Sequence, residues 1–328
     1  MSPRIDAPGA SAPRHEVPGQ IVEDTYLLAG HEKRFGKQSH YLKLSLLNAD
    51  GAIEGILWPE QMRQIHCPEV STPVWVRGRK QLFNNRLQLR IESLIARPTD
   101  EVPLATALLP RQHCTEKVHA ALDRLAELER SLPSPLQGFL KHVLLDPRIF
   151  PDLLTCRASV NHHHAFPGGL LIHSTGLLDA AADLTRHRVP NCPWSPYLAQ
   201  LGFLLHDLGK IRSVGQTRRP PHPFAMRHEL ITIELLAPHL NWLERQDMLL
   251  AAGMRSLLDY VAEPHSRRRE APLAAAEVVV MLDQISAGTH TPRDLQSLAA
   301  GRTWNAGGAQ SITSFPSGRA VQHHSARS

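Results

Sequence analysis

The 328-residue sequence predicts an α+β protein of two domains, in which a small antiparallel β domain precedes an all-helical domain. From Gln20 to about Arg97 apolar and polar residues alternate, which is the period of a half-buried strand. From about Leu104 onward the apolar residues follow the spacing of amphipathic helices, with breaks that contain Pro or Gly. The apolar pattern changes from strand-like to helix-like once, at the segment RPTDEVPLA, which we interpret as the linker.

These patterns place the two domains at residues 19–98 and 105–300. Residues 1–18 and 301–328 are rich in Gly, Ser, Pro and Ala without periodicity, which is typical of disordered tails. Neither a run of about 18 apolar residues nor a signal-peptide pattern occurs, so the sequence predicts a cytoplasmic protein with no membrane partner. The four cysteines lie far apart without a CxxC pair, which disfavours a disulfide framework and a zinc knuckle.

The clearest predicted strands are YLKLSL, VWVRGR and RLQLRI, and the turn formers NADG and NN stand between strands. Roughly five short strands of this kind predict an OB-type barrel. Side chains two residues apart share a face, so the leucines and valines form the core and their neighbours face outward. The outward set mixes aromatic and cationic side chains, namely Tyr41, Lys43, Trp75, Arg77, Arg79, Arg86 and Arg90.

This outward set predicts a surface for single-stranded RNA or DNA, because bases stack on aromatic rings and cations neutralise phosphates. The net charge of +5 is compatible with a polyanionic partner but does not require one. The competing interpretation is an ordinary solvated strand face, with Trp75 covered by the neighbouring domain. The strand pattern does not distinguish RNA from DNA, since it identifies no contact to a 2′-hydroxyl group.

A histidine and an aspartate stand side by side, as His206 and Asp207, near the end of the apolar run LGFLLHDLGK. A buried imidazole or carboxylate is costly unless it is paired or bound to a metal, so this pair needs a partner. His173 in GGLLIHST and Asp283 in VVVMLDQIS also follow apolar runs. Two imidazoles and two carboxylates suit a divalent cation such as Mn²⁺, Fe²⁺, Mg²⁺ or Ni²⁺. The competing interpretation is a hydrogen-bonded pair at a helix end and, for Asp283, a solvated helix position.

The order H…HD…D on helices resembles the HD superfamily of metal-dependent phosphohydrolases. The element HHAFPGGLLIHS followed by LLHDLGK, with an OB-like domain before both, is similar to the YhaM-type 3′→5′ exoribonucleases. This similarity extends from about Gln20 to Gly288. It implies that the all-α region is an HD domain that hydrolyses phosphodiesters with a divalent metal.

Carried over position by position, the resemblance implies a role for each motif residue. The implied metal ligands are His173, His206, Asp207, Asp283 and, for a second cation, His228. Asp207 and Lys210 are the implied catalytic residues, with Lys210 neutralising charge on the scissile phosphate. His163 and His164 match the family's histidine pair, which we place near the phosphate path or behind the ligands.

The sequence departs from the family in one region. Members with two metals carry a further HHG element before the final aspartate, whereas the corresponding region here reads AAGMRSLLDYVAEPHSRRRE. We therefore expect one tightly bound divalent cation and at most a weak second site built from His228 and Asp259. Hydrolysis is expected to be weakened or lost.

Three functions follow from these features. The first is a 3′→5′ exonuclease for single-stranded nucleic acid, with RNA favoured by the resemblance. The second is a catalytically weak or inactive HD-fold nucleic-acid-binding protein of conjugation or of a mobile element, because the HHA-x-PGGLL-x-H element also resembles the HD-like domain of TraI-type conjugative relaxases. The third is an HD nucleotidase that acts on free nucleotides.

Overall fold

A computed structural model describes residues 18–36, 39–112, 114–161, 164–215, 226–264 and 270–288 of the chain. Both predicted tails lie outside these ranges apart from Pro18, and so does the predicted site residue His163. Residues up to Gln284 form one compact unit, and the remainder belong to a second. None of the described helices is both long and apolar enough to cross a lipid bilayer.

The first part of the chain is a closed five-stranded barrel, as the alternation predicts. Its strands are β1 (Ile21–Phe35), β2 (His40–Asn48), β3 (Gly51–Leu57), β4 (Pro73–Phe83) and β5 (Arg86–Ala96). They pair in the order β1-β2-β3-β5-β4, and β4 returns to β1. All pairs are antiparallel except β3 with β5.

Alternate residues of these strands face a common apolar core. That core contains Tyr26, Leu28, Leu44, Leu46, Leu57, Val74, Val76, Leu89, Ile91 and Leu94. The β4–β5 hairpin turns at Asn84 and Asn85, whose φ angles of 50° and 55° are those of the tight turn that matches strand twist. The short helix α1 (Pro59–Met62) follows β3, and Met62 packs against the barrel core.

The rest of the described chain is helical and contains no strand, which confirms the predicted change from strands to helices. The helices are α2 (Glu116–Ser131), α3 (Ser134–Leu144), α4 (Asp152–Thr155), α5 (Gly169–Thr175), α6 (Leu178–Arg188), α7 (Ser195–Leu205), α8 (Lys210–Ser213), α9 (His228–Gln246), α10 (Met248–Ala262) and α11 (Ala274–Gly288). Their apolar faces enclose one large core.

The segment that we interpreted as a linker is packed instead of free. Its apolar residues Val102 and Ala105 are buried in the helical core, as is Leu108 just after it, because leaving them in water would cost free energy. The backbone N–H of Ala49, in the β2–β3 turn, donates to the carbonyl of Ala107 at 2.8 Å. The barrel is therefore fastened to the helices, and the division into domains 19–98 and 105–300 stays a prediction.

Candidate metal centre

His206 and Asp207 form the turn that ends α7, and both are buried. The Nδ1 atom of His206 lies 2.8 Å from the carbonyl oxygen of Phe203. A carbonyl only accepts, so Nδ1 carries the hydrogen and the lone pair of a neutral ring is on Nε2. Nε2 is buried and makes no hydrogen bond with any described residue. The turn thus presents a buried nitrogen lone pair that lacks a donor.

Three further side chains lie close to Nε2 of His206. His173, near the end of α5, has its Nε2 3.4 Å from Oδ2 of Asp207 and 3.5 Å from Oδ1 of Asp283 on α11. The Nε2 atom of His206 lies 3.4 Å and 3.3 Å from the same two oxygens. One donor atom from each of the four residues lies within 4.8 Å of all the others. The structure therefore brings the four predicted ligands into one cluster.

The geometry of this cluster fits a divalent cation. Donor atoms that share one cation at about 2.1 Å are separated by about 3.0–3.5 Å, and the four histidine-to-aspartate separations above fall in that interval. The pair of imidazoles and pair of carboxylates is a donor set for Mn²⁺, Fe²⁺ or Ni²⁺, and no thiol belongs to it. His173, His206, Asp207 and Asp283 could hold such an ion.

The carboxylates of the cluster stay ionised despite burial. Burial raises the pKa of Asp207, but the adjacent His206 and Lys210 outweigh it and hold that pKa well below its usual range. Burial likewise opposes ionisation of Asp283, and the neighbouring imidazoles of His173 and His206 hold its pKa low. Burial lowers the pKa of His173, but the two carboxylates outweigh it and raise that pKa. The two ionised carboxylates therefore supply negative charge at the cluster, which favours a cation there.

The glycine of HDLGK is explained by the packing of α9 on this turn. A Cβ atom at Gly209 would lie 2.0 Å from the carbonyl oxygen of His228, closer than any real contact. The Gly209 N–H donates to the hydroxyl of Thr232 at 2.8 Å, and this hydroxyl also lies 3.1 Å from the carbonyl oxygen of His206. Only glycine lets the start of α9 approach this closely, and this approach places His228 beside Asp207.

The glycine pair at the start of α5 has a similar role. Gly168 has a φ angle of +79°, which favours glycine, and a Cβ atom at Gly169 would lie 2.0 Å from the carbonyl oxygen of His164. The His164 ring lies 6.0 Å from the His173 ring and 5.9 Å from the Phe166 ring, measured between centroids. The loop therefore packs against the helix that carries His173.

Lys210 and His228, the other predicted site residues, both contact Asp207. The Nζ atom of Lys210 bonds to Oδ2 at 2.5 Å, and Nε2 of His228 lies 2.9 Å from Oδ1. A cleft of about 150 Å³ is lined by His206, Asp207, His228 and Asp283, and also by Glu229, which sequence reasoning missed.

Asp259, the other residue considered for a second site, lines a separate cavity of about 430 Å³ with Asn241 and Arg255, between α9 and α10. The additional acidic residue in the cleft of His228 is therefore Glu229, the next residue in the sequence. Asp259 faces a different part of the surface.

The predicted nucleic-acid residues are spread over three strands of the barrel. Tyr41 and Lys43 lie on β2, and the Tyr41 ring is 5.2 Å from that of Trp58, which follows β3. The sequence pattern did not indicate Trp58, because this residue lies just beyond the alternating segment. Trp75 on β4 is half-buried and pairs with Thr25 of β1 and Ile95 of β5.

The cations of the barrel differ in their partners. Arg77 lies 3.2 Å from Glu23 and 3.5 Å from Glu92, and Arg79 lies 3.6 Å from Glu92. Lys43 is paired with Glu54 at 2.6 Å. Arg86 and Arg90 on β5 are exposed, and within the described part of the chain neither forms an ion pair. Among the predicted cations of the barrel, the two that lack an acidic partner in the described part of the chain therefore both lie on β5.

The fold and the site together define a chain in which a five-stranded barrel precedes a helical region that carries a candidate divalent-metal centre. No family model matches the chain. Over 210 residues it is 26% identical to the 3′-5′ exoribonuclease YhaM of Shouchella clausii (strain KSM-K16), and the match covers 61% of this chain and 61% of that relative. The chain thus spans about three-fifths of its relative's length, and the predicted resemblance to YhaM-type exoribonucleases is confirmed.

Proposed function

We propose that this chain is a divalent-metal-dependent phosphodiesterase that removes nucleotides from the 3′ end of single-stranded nucleic acid, with RNA as the favoured substrate. The observation that carries the proposal is the four-donor cluster of His173, His206, Asp207 and Asp283, in which all but Asp283 are buried. The similarity to a 3′-5′ exoribonuclease supports a nuclease over other phosphohydrolases. A cytoplasmic location is part of the same proposal.

In this proposal the protein side chains prepare the site for an anionic substrate. When bound, a divalent cation lowers the pKa of water and stabilises the negative charge that develops on phosphorus. The Phe203 carbonyl fixes the His206 ring, so its nitrogen lone pair stays aimed at the cluster. The Lys210 ammonium, already beside Asp207, would neutralise charge on a phosphate oxygen in the cleft.

The assay uses single-stranded RNA and DNA that carry a label at either the 5′ or the 3′ end, incubated with the purified chain and Mn²⁺. We expect a ladder of products that shorten one nucleotide at a time, release of a 3′ label as mononucleotide, and no reaction in EDTA. Intact strands with hydrolysis of free nucleotides would instead identify a nucleotidase. Binding without any hydrolysis would identify a non-catalytic nucleic-acid-binding protein, and either result overturns the proposal.

The barrel is proposed to hold the strand, with Arg90 as a phosphate contact. Replacing Arg90 by alanine should reduce the slope of log affinity against log salt for single-stranded RNA by about 0.7, the amount expected for one phosphate-binding cation. Arg77→Ala is the matched control and should change the slope less, because Glu23 and Glu92 already neutralise Arg77. Fluorescence anisotropy between about 50 and 200 mM salt measures both slopes. An Arg90→Ala slope equal to that of the wild type would remove this residue from the binding surface.

A further inference from the structure

An acidic side chain that is not part of the metal cluster lines the cleft beside it. Glu229 lies in the first turn of α9 and lines this cleft together with Asp207 and His228. Its Oε2 atom is buried and lies 3.6 Å from Nδ1 of His228, whose Nε2 lies 2.9 Å from Oδ1 of Asp207. The carboxylates of Glu229 and Asp207 are therefore about one imidazole ring apart.

The other oxygen of Glu229 is free to accept a hydrogen bond. The side chain is 26% exposed, and Oε1 is neither buried nor hydrogen-bonded to any described residue. Because Oε2 is packed against His228, the exposed part of the carboxylate is the part that a molecule in the cleft can contact. Glu229 therefore offers an acceptor next to the metal cluster.

A carboxylate in this cleft distinguishes between the parts of a nucleotide. It repels a phosphate group, whose oxygens are also anionic acceptors, and it accepts from neutral donors. The donors that a single strand offers are the hydroxyl groups of its sugars and the amino groups of its bases. Dinucleotide-binding proteins use an acidic side chain in the same way, to accept from a ribose hydroxyl.

The size and position of the cleft favour the sugar over the base. Its volume of about 150 Å³ is smaller than the roughly 300–1,000 Å³ of pockets that enclose a drug-sized molecule, so a sugar fits it better than a whole nucleoside. The sugar is bonded directly to the phosphate, so a phosphate at the cluster places the sugar, and not the base, beside Glu229. Val261, Val279 and Val280 line the same cleft and offer apolar contact to the carbon atoms of a sugar.

We propose that Glu229 is a specificity-determining residue that accepts a hydrogen bond from a hydroxyl group of the 3′-terminal sugar. The terminal sugar is the one that a small cleft admits, because its 3′ position carries no further nucleotide. The contact selects an end with free hydroxyl groups and is independent of the base. The inference rests on the proposed function for the identity of the strand, but the contact itself can be measured without hydrolysis.

The first measurement compares kcat/KM for two single-stranded RNAs whose last nucleotide is either a ribonucleotide or its 2′,3′-dideoxy counterpart. The wild type should prefer the hydroxylated end by about tenfold or more, as expected for a hydrogen bond to a charged group. Glu229→Ala should bring this ratio close to one, and Glu229→Gln, which keeps an acceptor oxygen without the charge, should give an intermediate ratio. A defect in folding or metal binding would lower both rates by the same factor and leave the ratio unchanged.

The second measurement uses calorimetry in the presence of Mn²⁺. It compares the affinity of the chain for uridine 5′-monophosphate with that for the 2′,3′-dideoxy analogue, because these molecules carry the phosphate and the sugar of a strand end. The wild type should bind the first about tenfold more tightly, and Glu229→Ala should remove this difference. Circular dichroism verifies that the variants are folded.

Glu234→Ala is the matched control, because it removes an exposed carboxylate from the same helix, and it should keep the wild-type preference. Equal affinities in the wild type, an unchanged ratio in Glu229→Ala, or an equal loss in Glu234→Ala would each overturn the inference. A chain that shows the Glu229-dependent preference for the nucleotide but shortens no strand would overturn the proposed function and leave the inference standing.

Discussion

Replacing Asp207 by alanine should remove the tightly bound divalent metal and abolish hydrolysis of nucleic acid. The Asp207 carboxylate is the most connected group of the site, since His173, His206, His228 and Lys210 all contact it. Elemental analysis of the purified variant should find no stoichiometric metal, and the strand-shortening assay should give no product.

The same substitution should also destabilise the metal-free fold. The Asp207 side chain is only 3% exposed, and its removal leaves the Lys210 ammonium, itself mostly buried, without its carboxylate. Breaking a buried pair in this way costs about 3–5 kcal/mol in the free energy of unfolding. Urea denaturation in EDTA measures this cost without the contribution of bound metal. Asp179→Ala, which removes an exposed aspartate in the first turn of α6, should leave metal content and stability unchanged. An Asp207→Ala protein with full metal content would contradict the assignment.

The four-donor cluster could be predicted because each ligand interrupts a local apolar pattern. His173, His206 and Asp283 each follow an apolar run that is largely buried in the structure, and a polar side chain at the end of such a run needs a partner. The barrel could be predicted for the same reason, because its alternation is a local property of each strand. These features depend on neighbours in the sequence.

Features that depend on distant partners could not be predicted. The arginines of VWVRGR appear as a cationic face in the sequence, and only the pairing of β4 with β1 and β5 places Glu23 and Glu92 beside Arg77. Glu229 has the appearance of an acidic residue in the first turn of a helix, which is a common position for a carboxylate. Its relation to His228 becomes visible only when α9 is packed against the turn that carries Asp207.

Glu129 is another residue whose role is set by distant partners. In the sequence it is a polar position of the amphipathic helix α2, yet its side chain is completely buried. Its carboxylate accepts from the backbone N–H of Ala105 at 2.5 Å and of Thr106 at 3.0 Å, and from the Thr106 hydroxyl at 2.8 Å. The segment that it holds is the one that joins the barrel to the helices, where the carbonyl of Ala107 accepts from Ala49.

Replacing Glu129 by alanine should therefore lower the free energy of unfolding by about 3–5 kcal/mol, because two buried N–H groups and a hydroxyl lose their acceptor at once. Glu129→Gln should rescue little of this loss, since its amide group would present N–H donors to other donors. Urea denaturation measures the change, and hydrogen exchange at Ala105 and Thr106 should accelerate in both variants. Glu127→Ala, an exposed glutamate on the same helix, is the control. Equal urea midpoints for Glu129→Ala and Glu127→Ala would mean that the joining segment is held by its apolar contacts alone, and that the buried carboxylate adds nothing to them.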